Sequence, residues 1–111
     1  MSQSQNVEIV TDSSFQSQVM QCSQLAIIDF WAEWCGPCRQ LSPTIEQLAN
    51  DYAGQAKIFK MNVDENPNTP SQFQIRGIPT VLFFKGGQLV DQIVGNQSKE
   101  AITQVIQKHL Q

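Results

Sequence analysis

Apolar positions along the 111-residue chain recur with two periods, and the switches between them mark out the elements. Val7-Glu8-Ile9-Val10 alternates and predicts a first strand. Phe15, Val19 and Cys22 then share a helical face, with Thr11 or Asp12 in position to cap it. The run Leu25–Trp31 is apolar at nearly every position, as expected of a central strand covered on both faces. Leu41, Ile45, Leu48, Ala49 and Tyr52 return at three- and four-residue steps and predict a long helix over residues 36–52, kinked at Pro43 and ended by Gly54. A strand over 56–63 and a short helical piece near 67–73 follow. Strands over 80–84 and 88–94 are joined by Lys85-Gly86-Gly87, a hairpin signal. Ser98 caps a last helix carrying Ala101, Ile102, Val105, Ile106 and Leu110. The order βαβαβαββα implies an α/β fold, with parallel strands and right-handed crossovers early on and an antiparallel edge from the hairpin. Residues 1–6 are polar and read as a loose tail before a single domain, 7–111.

Where the central strand gives way to the long helix stands Phe30-Trp31-Ala32-Glu33-Trp34-Cys35-Gly36-Pro37-Cys38-Arg39. Cys35 falls at the helix start, where unpaired N–H groups and the helix dipole favour an anion, so its pKa should be lowered. Pro37 suits the first turn, and Gly36 keeps bulk away from the sulfur. The pair reads as a redox dithiol: Cys35 attacks a disulfide, and Cys38, one turn further in and expected to be more shielded, resolves the mixed disulfide. Half a zinc site is the competing reading, but only Cys22 and His109 remain as ligands and neither falls in a second pair. Asp29 interrupts the central strand. Burial there raises a carboxyl's pKa and makes it a competent proton acceptor near neutrality; a strand that ends early would instead leave it solvated. Lys60, taken alone, is a solvated strand residue, and Ile78-Pro79, taken alone, favours the trans bond. Cys22 reads as a core residue and His109 as a favourable helix-end residue.

Trp34-Cys35-Gly36-Pro37-Cys38, followed at the matching distance by Ile75-Arg76-Gly77-Ile78-Pro79-Thr80, resembles the two signatures of the thioredoxin family. The likeness runs from about Val7 to Leu110. It implies a five-stranded mixed sheet flanked by four helices, and a dithiol carrier that reduces protein disulfides and is itself re-reduced by a thioredoxin reductase. No metal or prosthetic group is implied. The resemblance also gives Asp29 a part in deprotonating Cys38 and makes Lys60 the residue that tunes Asp29. It reverses the expectation for Pro79, which becomes a cis proline opposite the dithiol, leaving the Ile78 backbone to pair with an extended client segment. Trp34, Gly36, Pro37, Ile78, Pro79 and Gly95 then form a small apolar rim. Asn96 departs from the family, many of whose members carry a small apolar residue after that glycine. Related oxidases and isomerases usually carry pairs other than Gly36-Pro37, and a binding module with incidental thiols is the rival from another class.

Charge narrows the partners. The net charge is −3 with a pI near 4.9, and five Lys and two Arg are scattered along the chain. A basic patch for nucleic acid or an anionic membrane is therefore not expected, and no apolar run approaches a membrane span. Three cysteines do not make a disulfide framework, and residues 1–6 hold neither a basic nor an apolar leader region. These features predict a cytoplasmic protein, expected to act as a monomer; its partners, a thioredoxin reductase and disulfide-bearing client proteins, are what the resemblance implies.

Overall fold

Among the described residues, nine elements follow one another in the order the hydrophobic pattern predicts. They are β1 (Val7–Ile9), a π-wound segment (Gln16–Met20), β2 (Leu25–Trp31), α1 (Gly36–Asp51), β3 (Ala56–Asn62), α2 (Asn68–Gln72), β4 (Thr80–Lys85), β5 (Gln88–Val94) and α3 (Lys99–Leu110). The structure, a computed structural model, describes residues 6–110. The tail expected at 1–6 lies outside the described residues except for Asn6, whose Nδ2 donates to Asn50 Oδ1 at 2.9 Å.

The strands form one mixed sheet in the order β1-β3-β2-β4-β5. β1 and β2 both run parallel to β3, whereas β4 is antiparallel to β2 and to β5. The antiparallel part thus begins one strand nearer the centre than an edge hairpin alone would give. Gly86 and Gly87 both have positive φ, 60° and 77°, which is the backbone a two-residue hairpin turn demands. The register slips between Phe83 and Phe84, a bulge that the alternating pattern did not reveal.

Alternation along β2 sends its side chains to two cores. Leu25 and Ile27 pack with Leu41, Ile45, Leu48, Ile102 and Ile106, the predicted inner faces of α1 and α3. Ala26, Ile28 and Phe30 pack on the other face with Phe15, Val19, Phe59 and Leu82. There the rings of Phe15, Phe73 and Phe84 meet with centroids 5.2–5.6 Å apart. Asp29 and Lys60 have the parity of Ile27 and Ile58 and so belong to the face covered by α1.

Three local expectations need correcting. The first helical stretch is π-wound and ends at Met20, so Cys22 lies beyond it, partly buried against the second core rather than on a helix face within it. Thr11 Oγ1 accepts from Ser14 N at 3.2 Å in the turn ahead of that segment, which itself carries no side-chain cap from Thr11 or from Asp12. The Asp12 carboxylate accepts from Asn68 N (3.0 Å), Thr69 N (2.8 Å) and Thr69 Oγ1 (2.7 Å), capping α2 from more than fifty residues away. Ser98 Oγ accepts from Ala101 N at 3.1 Å, as expected of the α3 cap. His109 sits in the last turn of α3, with Nε2 2.9 Å from Asp91 Oδ2.

Candidate active site

β2 and α1 are joined by only four residues, and the turn delivers Cys35 to the N-cap of α1 in an extended conformation, φ −92° and ψ 106°. Cys35 and Cys38 are joined as a disulfide, with Cα atoms 5.2 Å apart. One helical turn is what brings two sulfurs three residues apart within bonding distance. Cys35 Sγ also accepts the Cys38 backbone N–H at 3.1 Å, taking the place of the side-chain oxygen in an ordinary N-cap. Pro37 occupies the first turn, where its missing N–H costs nothing. Beside Gly36 only the flexible end of Arg39 approaches the place a Cβ would take, at 3.9 Å.

The expected difference in shielding is absent. Both cysteines are 3% exposed, packed with Ala32 against Trp31, Val63 and Ile78. The sulfurs differ in surroundings instead: Cys35 Sγ lies 3.8 Å from Ile78 O and accepts the helix N–H, while Cys38 is within the helix. The Ile78–Pro79 bond is cis, as the resemblance implied and the bare dipeptide did not. Pro79 O accepts from Gly95 N at 2.8 Å, with Gly95 at φ 90°, so the two loops meet beside the dithiol.

Trp34 is exposed at 67%, and its Nε1 donates to Asp64 Oδ2 at 2.9 Å. It borders a groove of about 180 Å³ whose other walls are Val63, Pro70, Ile75, Arg76, Gly77 and Ile78. Val63 and Pro70 were not singled out in the sequence. Their one signal is that the β3–α2 connection must return toward the Ile78 loop. Trp31 packs beneath the dithiol, its ring facing Lys60 Nζ at 4.9 Å.

Asp29 is fully buried, and neither carboxylate oxygen has a hydrogen-bond partner. Desolvation pushes its pKa up to about 7, against a smaller lowering by the positive charge of Lys60. Lys60 is its register partner on β3, but its Nζ turns to Ser42 Oγ at 3.2 Å, one turn along α1 from Cys38. The carboxyl is therefore neither solvated nor salt-bridged; it lies on the sheet face that α1 covers, with a proton affinity poised at neutrality. Among the described residues, no group of three or more His, Cys, Asp or Glu is arranged to hold a metal ion, and no helix is long and apolar enough to cross a membrane.

The thioredoxin family model matches residues 6–108. The chain is 52% identical over 100 residues to thioredoxin 2 of Chlorobaculum tepidum, covering 90% of this chain and 92% of that protein. It is 48% identical over 101 residues to thioredoxin 1 of a Nostoc species, covering 91% and 94%. It is 50% identical over 101 residues to thioredoxin of Staphylococcus saprophyticus, covering 91% and 95%.

Proposed function

Because this chain belongs to the thioredoxin family and is a protein-disulfide oxidoreductase working through its own dithiol, we propose that Cys35 attacks the client and Cys38 releases it. The observation that carries this assignment is the Cys38 N–H donated to Cys35 Sγ at the helix N-terminus. In the reduced protein that contact and the dipole favour a thiolate on Cys35 over one on Cys38. The Cys35 thiolate attacks one sulfur of a client disulfide, forming a mixed disulfide and expelling the other sulfur as a thiolate. Cys38 then loses its proton to Asp29 and attacks Cys35 Sγ. The Cys35–Cys38 bond forms, the mixed disulfide breaks, and the second client sulfur leaves as a thiolate. Two electrons pass to the client, its thiolates take up protons from water, and a reductase returns two electrons to the carrier.

In this reading Lys60 tunes Asp29, and Gly36 and Pro37 shape the helix start. Trp34, Ile78, Pro79 and Gly95 form the client rim, with the Ile78 backbone available to an extended segment. The domain runs over 7–111 behind a tail at 1–6, and the protein acts as a cytoplasmic monomer with a thioredoxin reductase. The test is a trap. Immobilised Cys38→Ser should retain client proteins until dithiothreitol is added, while Cys35→Ser retains few and fails to reduce insulin disulfides. Equal retention, or retention by Cys35→Ser alone, would mean the roles are reversed.

A further inference from the structure

We propose that Asn96 and Gln40 act together as a client-specificity element of the dithiol site, an amide pair that hydrogen-bonds a polar, peptide-like group of the client. Asn96 Nδ2 donates to Gln40 Oε1 at 3.1 Å, linking the loop after β5 to α1. Both residues are exposed. Gln40 lies four residues after Gly36, hence one turn along the same face of α1. Asn96 follows Gly95, whose N–H is bonded to Pro79 O, and Ile78 O lies against Cys35 Sγ. The contacts thus run in a closed circuit from Cys35 through Ile78, Pro79, Gly95, Asn96 and Gln40 back to Gly36. The Asn96–Gln40 bond is its only link made by two side chains, so its chemistry can differ between chains without changing the fold.

Neither side chain makes another hydrogen bond among the described residues. Whichever amide donates, the pair leaves one carbonyl oxygen and one amino group outward. That is one acceptor and one donor, the complement of a peptide unit or a side-chain amide. A purely apolar rim offers a client neither. The groove that Trp34 borders has mainly apolar walls, so the site offers a client apolar contact there and hydrogen bonding at the amide pair.

This inference rests on the thiol roles proposed above, and the experiment separates the two. Reduced wild type, Asn96→Ala, Gln40→Ala and the double variant are each timed with insulin disulfides and with the small aromatic disulfide DTNB. The insulin-to-DTNB ratio of kcat/KM should fall about threefold in each single variant, through KM, as expected for loss of a hydrogen-bonding contact. The double variant should fall little further, because either change already dissolves the pair. Ratios equal to wild type, parallel slowing with both substrates, or multiplied effects in the double variant would overturn the inference. Melting temperatures within about 2 °C of wild type are expected, since both residues are exposed; a larger drop would assign the pair a structural role instead. Wild type inert toward both disulfides would strike the thiol roles themselves.

Discussion

Asp12 and Asp29 are the same side chain put to opposite uses. Asp12 sits where the loop after β1 meets α2, and its partial burial, which alone would raise its pKa, is outweighed by three hydrogen bonds from Thr69 and Asn68 that lower it. Asp29 sits in the middle of the sheet with no hydrogen bond to its carboxylate, and burial raises its pKa to about 7. The comparison teaches that burial alone does not make a carboxylate chemically useful. A satisfied charge holds two segments together and keeps its proton affinity low. An unsatisfied one destabilises the fold and in exchange can take and give a proton at neutral pH.

The largest effect expected is on how stability varies with pH. A carboxyl whose folded pKa lies above its unfolded value contributes stability that is present below the unfolded pKa and lost as pH rises through the folded one. For Asp29 that window runs from 3.8 to about 7. At 1.36 kcal/mol per unit the loss sums to roughly 4 kcal/mol. Asp29→Asn keeps the shape but cannot ionise. Its unfolding free energy should match wild type near pH 4 and exceed it increasingly toward pH 8, while disulfide reduction slows. Denaturant titrations at four or five pH values would check this; parallel curves would show that Asp29 is not an isolated buried acid.

Asp12→Ala should do the reverse. Removing an acceptor from the first N–H groups of α2 should cost about 1–2 kcal/mol, with disulfide reduction per folded molecule unchanged. The sign with pH is also reversed. The folded pKa is lowered, so this stability is present above the unfolded value and fades as pH falls through the folded one. The cost should therefore shrink in acid, below about pH 4. Urea midpoints at pH 7 and pH 3.5, each paired with a turnover assay, would read both properties. An active-site defect at full stability would break the contrast.

The two aspartates also mark what the sequence made legible. Asp29 stood out because one charge interrupts an otherwise apolar strand, and the strand's burial then follows from composition alone. The dithiol was legible for a similar reason: spacing, proline and helix pattern are all local. Asp12 reads, as an alternative to Thr11, as a cap for the helix just after it, because capping preferences cannot see a helix start fifty-six residues on. Asn96–Gln40 was hidden by the same distance. The π-winding of Gln16–Met20 and the bulge at Phe83/Phe84 carry no composition signal, since both arise from how the chain fits its neighbours.

The smallest effect belongs to Lys60, and it probes the line between the two aspartates most finely. Its ammonium is hydrogen-bonded to Ser42, stands over the Trp31 ring, and lines a cavity shared with Glu46 and Glu65. Ser42 and the Trp31 ring therefore compete with Asp29 for its charge, and its pull on Asp29 is the lesser of the two influences there. Methionine keeps the length and packs against the indole, so Lys60→Met removes the charge with little change in shape. Without that charge Asp29 should hold its proton more tightly, and the limb of the pH–rate profile that reports it should move to higher pH. The same substitution in an Asp29→Asn background should move nothing, because the group it acts through is gone. Equal shifts in both backgrounds would mean that Lys60 acts on the thiols directly, and the buried carboxyl would then lose its place as the intermediary.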